Sequence, residues 1–295
     1  MGTIPIVLFV YNRPDHLRRT IEALVKNTLA EKSKLFIYSD GPKNQIDEEK
    51  IMSVRKYIHS ISGFKEVEII EREKNYGLAK SVITGVSEVF TSSSKVIIME
   101  DDMISSRGFL SYMYELLNFY ENNRTIFSVT GYTFPIKIPY DYPYEIYLAH
   151  RPSSWGWGTW KDRWEKVDWD VNDYDFFIGD KTQTEKFKKG GDDLIRMLKN
   201  QKTGRIDSWA IIWTYTHFKN KAYCIYPVRS LIKNIGADES GVHMNKTKKY
   251  DVDLTEDNST IPLIKDIKPN EEILKNFQTF FKKNILSSII NRINL

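Results

Sequence analysis

The sequence predicts an α/β protein whose amino-terminal half is a parallel, doubly wound sheet. Short apolar runs alternate with amphipathic helical stretches through the first hundred residues, the pattern of repeated βαβ units. Crossovers in such sheets are right-handed, so their strand ends collect on one edge. The residues just beyond those ends are polar, and the fourth run closes in three consecutive carboxylates, Glu100-Asp101-Asp102.

The elements follow in order. Residues 4–11 (IPIVLFVY) read as a buried strand, and Asn12-Arg13-Pro14-Asp15 as a turn. A helix over 16–26 places Leu17, Ile21, Leu24 and Val25 on one face. Residues 34–39 form a second strand, 47–60 an amphipathic helix, 67–71 a third strand, 78–90 a helix and 95–99 a fourth strand. Beyond residue 105 the pattern changes. A helix over 109–121 and a strand over 126–130 lead into an aperiodic region, 132–169, rich in Tyr, Pro and Trp. It is too aromatic for disorder, and long irregular segments of this kind are usually functional. Helices near 192–199 and 208–218 and a strand at 222–226 follow. The expected organisation is a catalytic domain over 1–250, with halves 1–132 and 133–250, then a linker over 251–269 and an amphipathic helix over 270–295.

Bulk properties narrow the classes. With 41% hydrophobic and 28% charged residues, the 295-residue chain is globular rather than disordered. A single cysteine, Cys224, excludes a disulfide framework and fits a reducing compartment. No signal peptide opens the chain and no apolar run reaches transmembrane length, so the expectation is a cytoplasmic protein. A net charge of +4 is too small for a nucleic-acid argument. Neither a Gly-x-Gly-x-x-Gly turn nor a P-loop is present.

Three adjacent carboxylates repel one another, and at a strand exit the usual reason to tolerate this is a ligand. Hard oxygen donors suit Mg²⁺ or Mn²⁺ carrying a phosphate; the plain alternative is an acidic, solvated turn. Asp40-Gly41-Pro42 is a turn in its own right. The Arg13 guanidinium could face phosphate oxygens or solvent. Asn75-Tyr76-Gly77 precedes a helix whose first N–H groups could face an anion, with Lys80 close by.

The order of these marks, Val10-Tyr11-Asn12-Arg13-Pro14, Tyr38-Ser39-Asp40-Gly41, Asn75-Tyr76-Gly77-Leu78-Ala79 and Met99-Glu100-Asp101-Asp102, resembles the nucleotide-sugar-binding half of a GT-A-fold glycosyltransferase of the family 2 type. The N-acetylglucosaminyltransferase I type, with Glu-Asp-Asp in place of Asp-x-Asp, is the nearest in motif. The resemblance covers residues 4–132 well and is patchier over 150–245. It implies a Rossmann-like mixed sheet flanked by helices and an inverting transfer from a UDP-sugar, assisted by Mn²⁺ or Mg²⁺. It assigns Asp102 to the metal, Asp101 to the ribose region, Glu100 to donor-sugar hydroxyls and Asp40 to the ring N–H of uracil. Tyr11, Asn12, Arg13, Asn75 and Lys80 complete the expected donor-binding set, Arg13 and Lys80 as phosphate candidates by their charge. A late histidine, here His243, touches the metal or phosphates in some relatives.

An inverting transfer needs a base. The best candidate is Asp207 in Gly204-Arg205-Ile206-Asp207-Ser208-Trp209, where burial beside a tryptophan would raise its pKa. Capping of the next helix by Asp207 or Ser208 competes with that role. Asp192 and Asp193 are runner-up acids. The segment Arg151-Pro152-Ser153-Ser154-Trp155-Gly156-Trp157-Gly158-Thr159-Trp160 reads as a sugar wall, since indole faces stack on sugar rings; Trp157 and Trp209 are the candidates, with core packing as the alternative.

At the carboxy terminus, apolar residues from Ile273 to Ile293 recur at helical spacing beside Lys275, Lys282, Lys283 and Arg292. Such a helix can lie at the inner face of a membrane, bringing the protein to a lipid-linked glycan acceptor. It can equally dock on its own domain or on a second subunit. Two rivals to glycosyl transfer stay open on the sequence: a nucleotidyltransferase of similar fold, and a non-catalytic carbohydrate-binding protein.

Overall fold

The computed structural model of the chain describes residues 4–238, 247–255 and 262–282. The apolar run after Pro5 forms β1 (Ile6–Val10), buried along its whole length, as a strand covered on both faces requires. β2 (Lys34–Ser39), β3 (Glu66–Glu71) and β4 (Lys95–Glu100) follow. Between them lie α1 (Pro14–Val25), α2 (Gln45–Ile58) and α3 (Leu78–Val89), with termini within two residues of the periodicity reading. Pro14 opens α1, where its missing N–H has no intrahelical partner to lose. Asn44 caps α2, its side chain accepting from the Ile46 and Asp47 amides. β3, β2, β1 and β4 lie side by side in parallel. Their carboxyl ends therefore share one edge, as expected.

The second half departs from a purely parallel sheet. Its elements are β5 (Met103–Ser105), α4 (Phe109–Phe119), β6 (Ile126–Thr130), β7 (Ile146–Ala149), β8 (Trp157–Trp160), α5 (Lys161–Trp164), α6 (Tyr174–Gly179), α7 (Lys181–Phe187), α8 (Leu194–Lys202), α9 (Trp209–Lys219), β9 (Tyr223–Pro227), β10 (Ile232–Asn234) and α10 (Glu271–Phe280). One eight-stranded sheet runs in the order β3-β2-β1-β4-β8-β6-β9-β7. β8 enters antiparallel between β4 and β6, with Trp157 opposite both Ile98 and Thr130. The aperiodic aromatic region thus contains two fully buried strands, β7 and β8. Both are only four residues long, too short to stand out as an apolar run or as an alternating one.

Two layers of core cover the sheet. α1, α2, α4 and α10 pack on one face through Leu17, Ile21, Val54, Met113 and Phe277. α3 and α9 pack on the other through Val82, Val86, Trp209 and Trp213. The described part of the carboxy-terminal helix docks on its own domain. Ile273 and Phe277 are buried, and the Phe277 ring stands 5.3 Å from Phe134 and 5.5 Å from Tyr226. Residues 283–295, with the rest of the apolar stripe, lie outside the described residues. Among the described residues no helix is long and apolar enough to cross a membrane. The expected linker is anchored at several points: Tyr120 Oη donates to the Ile264 carbonyl (2.6 Å) and the Thr255 amide to the Ser230 carbonyl (2.9 Å).

Candidate functional site

The exits of β1, β2 and β4 meet at one place. The Asp40 amide donates to the Val10 carbonyl at 3.2 Å, and the Tyr11 amide to Asp101 Oδ2 at 3.3 Å. α1 holds the backbone of the acidic triplet from below. Thr20 Oγ1, fully buried, donates to the Asp101 carbonyl (2.8 Å) and accepts from the Met103 amide (3.1 Å). The crowded charges seen in the sequence are partly balanced by Arg13. Its guanidinium is hydrogen-bonded to Asp101 Oδ1 and reaches Asp102 Oδ2 at 3.0 Å. Burial works against the Arg13 charge, but Asp101 and Asp102 outweigh it and hold its pKa above the usual guanidinium value. Arg13 is thus neither a solvent-facing residue nor, in this structure, a free one.

The three acids differ. Asp101 and Asp102 are buried and Glu100 is partly exposed. Burial, reinforced by Asp102 and Asp101, pushes the Glu100 carboxyl up to about 8. Burial also raises the Asp101 pKa, with the Arg13 charge opposing it. Asp102 Oδ1 is buried and has no hydrogen-bond partner among the described residues. A bare buried carboxylate oxygen is costly unless something positive comes to it. No cluster of three or more His, Cys, Asp or Glu side chains suited to a metal occurs among the described residues. The bare Asp102 Oδ1 is a hard oxygen donor of the kind that suits a divalent ion.

Asp40 has an internal task. Its carboxylate accepts from the amides of Gly41 (3.0 Å), Tyr76 (2.9 and 3.0 Å) and Gly77 (3.0 Å). The anion at the start of α3 is thus the protein's own. Gly77, at φ +76°, takes a backbone conformation that favours glycine. Asn75 Nδ2 closes the same turn on the Gly41 carbonyl (2.9 Å). Lys80 is exposed, and its Nζ lies 4.5 Å from the Tyr76 ring centre. Tyr11 and Asn12 both grip Asp47 on α2, at 2.9 and 2.7 Å. Burial and that hydrogen bond push the Tyr11 phenol up to about 12. Asp47 is missed by the sequence reading. It gives no local signal, being brought to Asn12 only by the fold.

Asp207 comes from the far half of the chain to the same edge. A Cβ on Gly77 would stand 3.3 Å from Asp207 Oδ2. The expected burial of Asp207 is not found: it is exposed, because its neighbour Trp209 turns away into the core. Nor does a side chain cap α9. Ser208 occupies the cap position without a side-chain hydrogen bond. Asp193 is engaged elsewhere, pairing with Arg151 Nη1 at 2.9 Å, and Asp192 is exposed.

The sugar-wall assignment is corrected. Trp157 is fully buried and Trp209 3% exposed, and the two rings stack on each other at 5.0 Å. Trp157 sits in a central strand whose alternate side chains must face one core or the other, so it offers no face to a ligand. Trp155, just before the strand, is the partly exposed tryptophan of that segment. His243 lies outside the described residues.

The glycosyl transferase family 2 model matches residues 6–182, which span the converging strand ends and β8. The chain belongs to glycosyl transferase family 2. Its mixed sheet flanked by helices is the GT-A architecture of this family-2 chain. Over 186 residues it is 25% identical to an alpha-1,3-mannosyl-glycoprotein 2-beta-N-acetylglucosaminyltransferase of Arabidopsis thaliana. That match takes in 58% of this chain and 42% of the relative, so the chain spans less than half of that protein's length. Among solved structures, it is similar to the mannosyltransferase PcManGT of Pyrobaculum calidifontis in complex with GDP-Man and Mn2+. The identity there is 12% and the TM-score 0.40, over 56% of this chain and 47% of the other.

Proposed function

We propose that this family 2 member is a metal-dependent, inverting glycosyltransferase that moves a sugar from a UDP-sugar to a hydroxyl of a glycan or lipid-linked glycan. The observation that carries the reading is the unpartnered Asp102 Oδ1, buried beside Arg13 at the exit of β4, with Asp207 brought to the same edge. Family membership favours glycosyl over nucleotidyl transfer. The N-acetylglucosaminyltransferase relative supports an N-acetylhexosamine donor as the first to test.

In this reading Glu100 contacts hydroxyls of the donor sugar and Asp101 orients Arg13 at the ribose side. Asp102 would hold a divalent ion, which would offset the negative charge that builds on the departing diphosphate. Asp207 takes the proton of the acceptor hydroxyl as that oxygen bonds to the anomeric carbon and the bond to the diphosphate oxygen breaks. Its exposure leaves it open to an acceptor arriving from solvent.

The test is nucleotide release from UDP-N-acetylglucosamine and other UDP-sugars, with and without Mn²⁺. Asp207→Asn should lower turnover about 100-fold or more while leaving UDP binding intact. Asp102→Asn should lose both turnover and Mn²⁺-dependent UDP binding. Unchanged turnover in both variants would falsify this mechanism.

A further inference from the structure

β10 runs antiparallel along β5, with Asn234 opposite Met103. The chain that follows crosses the acidic cluster. The Ile235 amide donates to the Asp102 carbonyl at 2.8 Å, and the Gly236 amide to Asn234 Oδ1 at 2.9 Å. Two residues beyond Gly236, Asp238 Oδ2 lies 3.1 Å from His16 Nε2 on α1. Residues 235–238 thus form a strap hydrogen-bonded to Asp102 at one end and in contact with His16 of α1 at the other, a close approach that is not a hydrogen bond.

Gly236, at the middle of the strap, is buried. A Cβ added there would collide with Asp102 Oδ2 and stand 2.9 Å from Arg13 Nη1. Gly236 is not among the positive-φ glycines, so space rather than backbone conformation demands glycine here. The strap lies on the same carboxylate oxygen that faces Arg13, and the opposite oxygen, Oδ1, is left bare.

We propose that Gly236 is a positioning residue for the Asp102 carboxylate, and that the His16–Asp238 contact latches the strap in place. A side chain at 236 must displace Asp102 or Arg13, the two groups whose mutual geometry leaves Oδ1 open. A support of this kind acts on a metal ligand as an outer shell does, where a substitution typically costs about 10- to 100-fold in metal affinity. The proposal rests on reading Asp102 as the metal carboxylate.

The experiment titrates Mn²⁺ into the full chain with UDP present and follows the paramagnetic resonance signal of the free ion. Gly236→Ala, His16→Ala and Asp102→Asn are compared with the parent, and thermal melts report folding. Gly236→Ala should weaken Mn²⁺ binding about tenfold or more with an unchanged melt. His16→Ala, which removes the contact to Asp238 and none to Asp102, should give a smaller loss in the same direction. Parent-like Mn²⁺ affinity in Gly236→Ala, alongside a loss in Asp102→Asn, overturns the proposal while leaving the metal reading intact. Parent-like affinity in Asp102→Asn overturns the metal reading and the proposal with it. Should Gly236→Ala unfold, His16→Ala decides: unchanged affinity there rejects the strap.

Discussion

The Asp40 carboxylate stands where the β2 exit meets the turn before α3, and it holds that turn by hydrogen bonds from the Tyr76 and Gly77 amides. Asp40→Ala leaves those donors without their acceptor, at a cost of about 1–3 kcal/mol. It should also raise the KM for the nucleotide donor, because the turn it releases borders Asp207. Asp40→Asn retains one acceptor oxygen and should fall between the two; denaturant midpoints and KM values measure both effects. His217 supplies a second test. Its ring is buried, Nδ1 donating to the Trp213 carbonyl (3.0 Å) and Nε2 accepting from Ser128 Oγ (2.9 Å). Burial lowers its pKa to about 3. The unfolded chain takes up this proton near pH 6.5 while the folded one does not, so the contribution is complete above that pH and is lost as pH falls toward 3. Stability should be about 2 kcal/mol lower at pH 5 than at pH 7 from this residue. Urea midpoints at the two pH values should show a smaller drop in His217→Gln; parallel drops in parent and variant would assign the titration elsewhere. At this scale the sequence shows which residues are chemically expressive, but not their partners. Asp40 was legible as a strand-exit acid, whereas its amide donors come from residues 36 and 37 positions away.

Elements were legible wherever one face is buried and the other solvated. α1, α2, α3 and α4 carry the 3.6-residue stripe and fall where the periodicity puts them. β8 was not legible, and its packing explains why. Gly158 in its centre faces Leu117, Met113 and the Val96 carbonyl, all at 2.8–2.9 Å from where a Cβ would be. A strand that needs glycine for close approach and tryptophan for bulk resembles a binding loop in composition, and Trp157 was read as one. The prediction that separates the two readings is Gly158→Val. A loop would absorb the added methyls, but a central strand pressed against a neighbouring backbone should lose about 1–3 kcal/mol. Gly179→Ala at the end of α6, where nothing lies within 4 Å of a Cβ, is the control and should be neutral or slightly stabilising. A calorimetric melt of the two variants decides it.

On the scale of the whole molecule, one sheet and one core layer run through both of the expected halves, 1–132 and 133–250. β4 pairs with β8 from Lys95 opposite Trp160 to Ile98 opposite Trp157. One core layer joins Phe9, Tyr38 and Val82 of the first half to Trp157, Trp164, Trp209 and Trp213 of the second. Removing the second half would strip β4 of a hydrogen-bonded neighbour and expose one face of the sheet, so residues 1–132 alone should not melt cooperatively. The intact chain carries its own probe for this. All seven tryptophans lie between Trp155 and Trp213, so indole fluorescence reports only the second half, whereas the acidic triplet and Asp40 lie in the first. If the shared core makes folding all-or-none, the fluorescence melt coincides with the far-ultraviolet circular dichroism melt. If UDP and Mn²⁺ bind at the acidic triplet as proposed, adding them should then raise the tryptophan-reported midpoint as well. Binding to the folded state alone stabilises by about 2.7 kcal/mol at a ligand concentration 100 times Kd. A ligand that shifts the dichroism midpoint but leaves the fluorescence midpoint in place would show the halves unfolding separately, despite the strand that joins them.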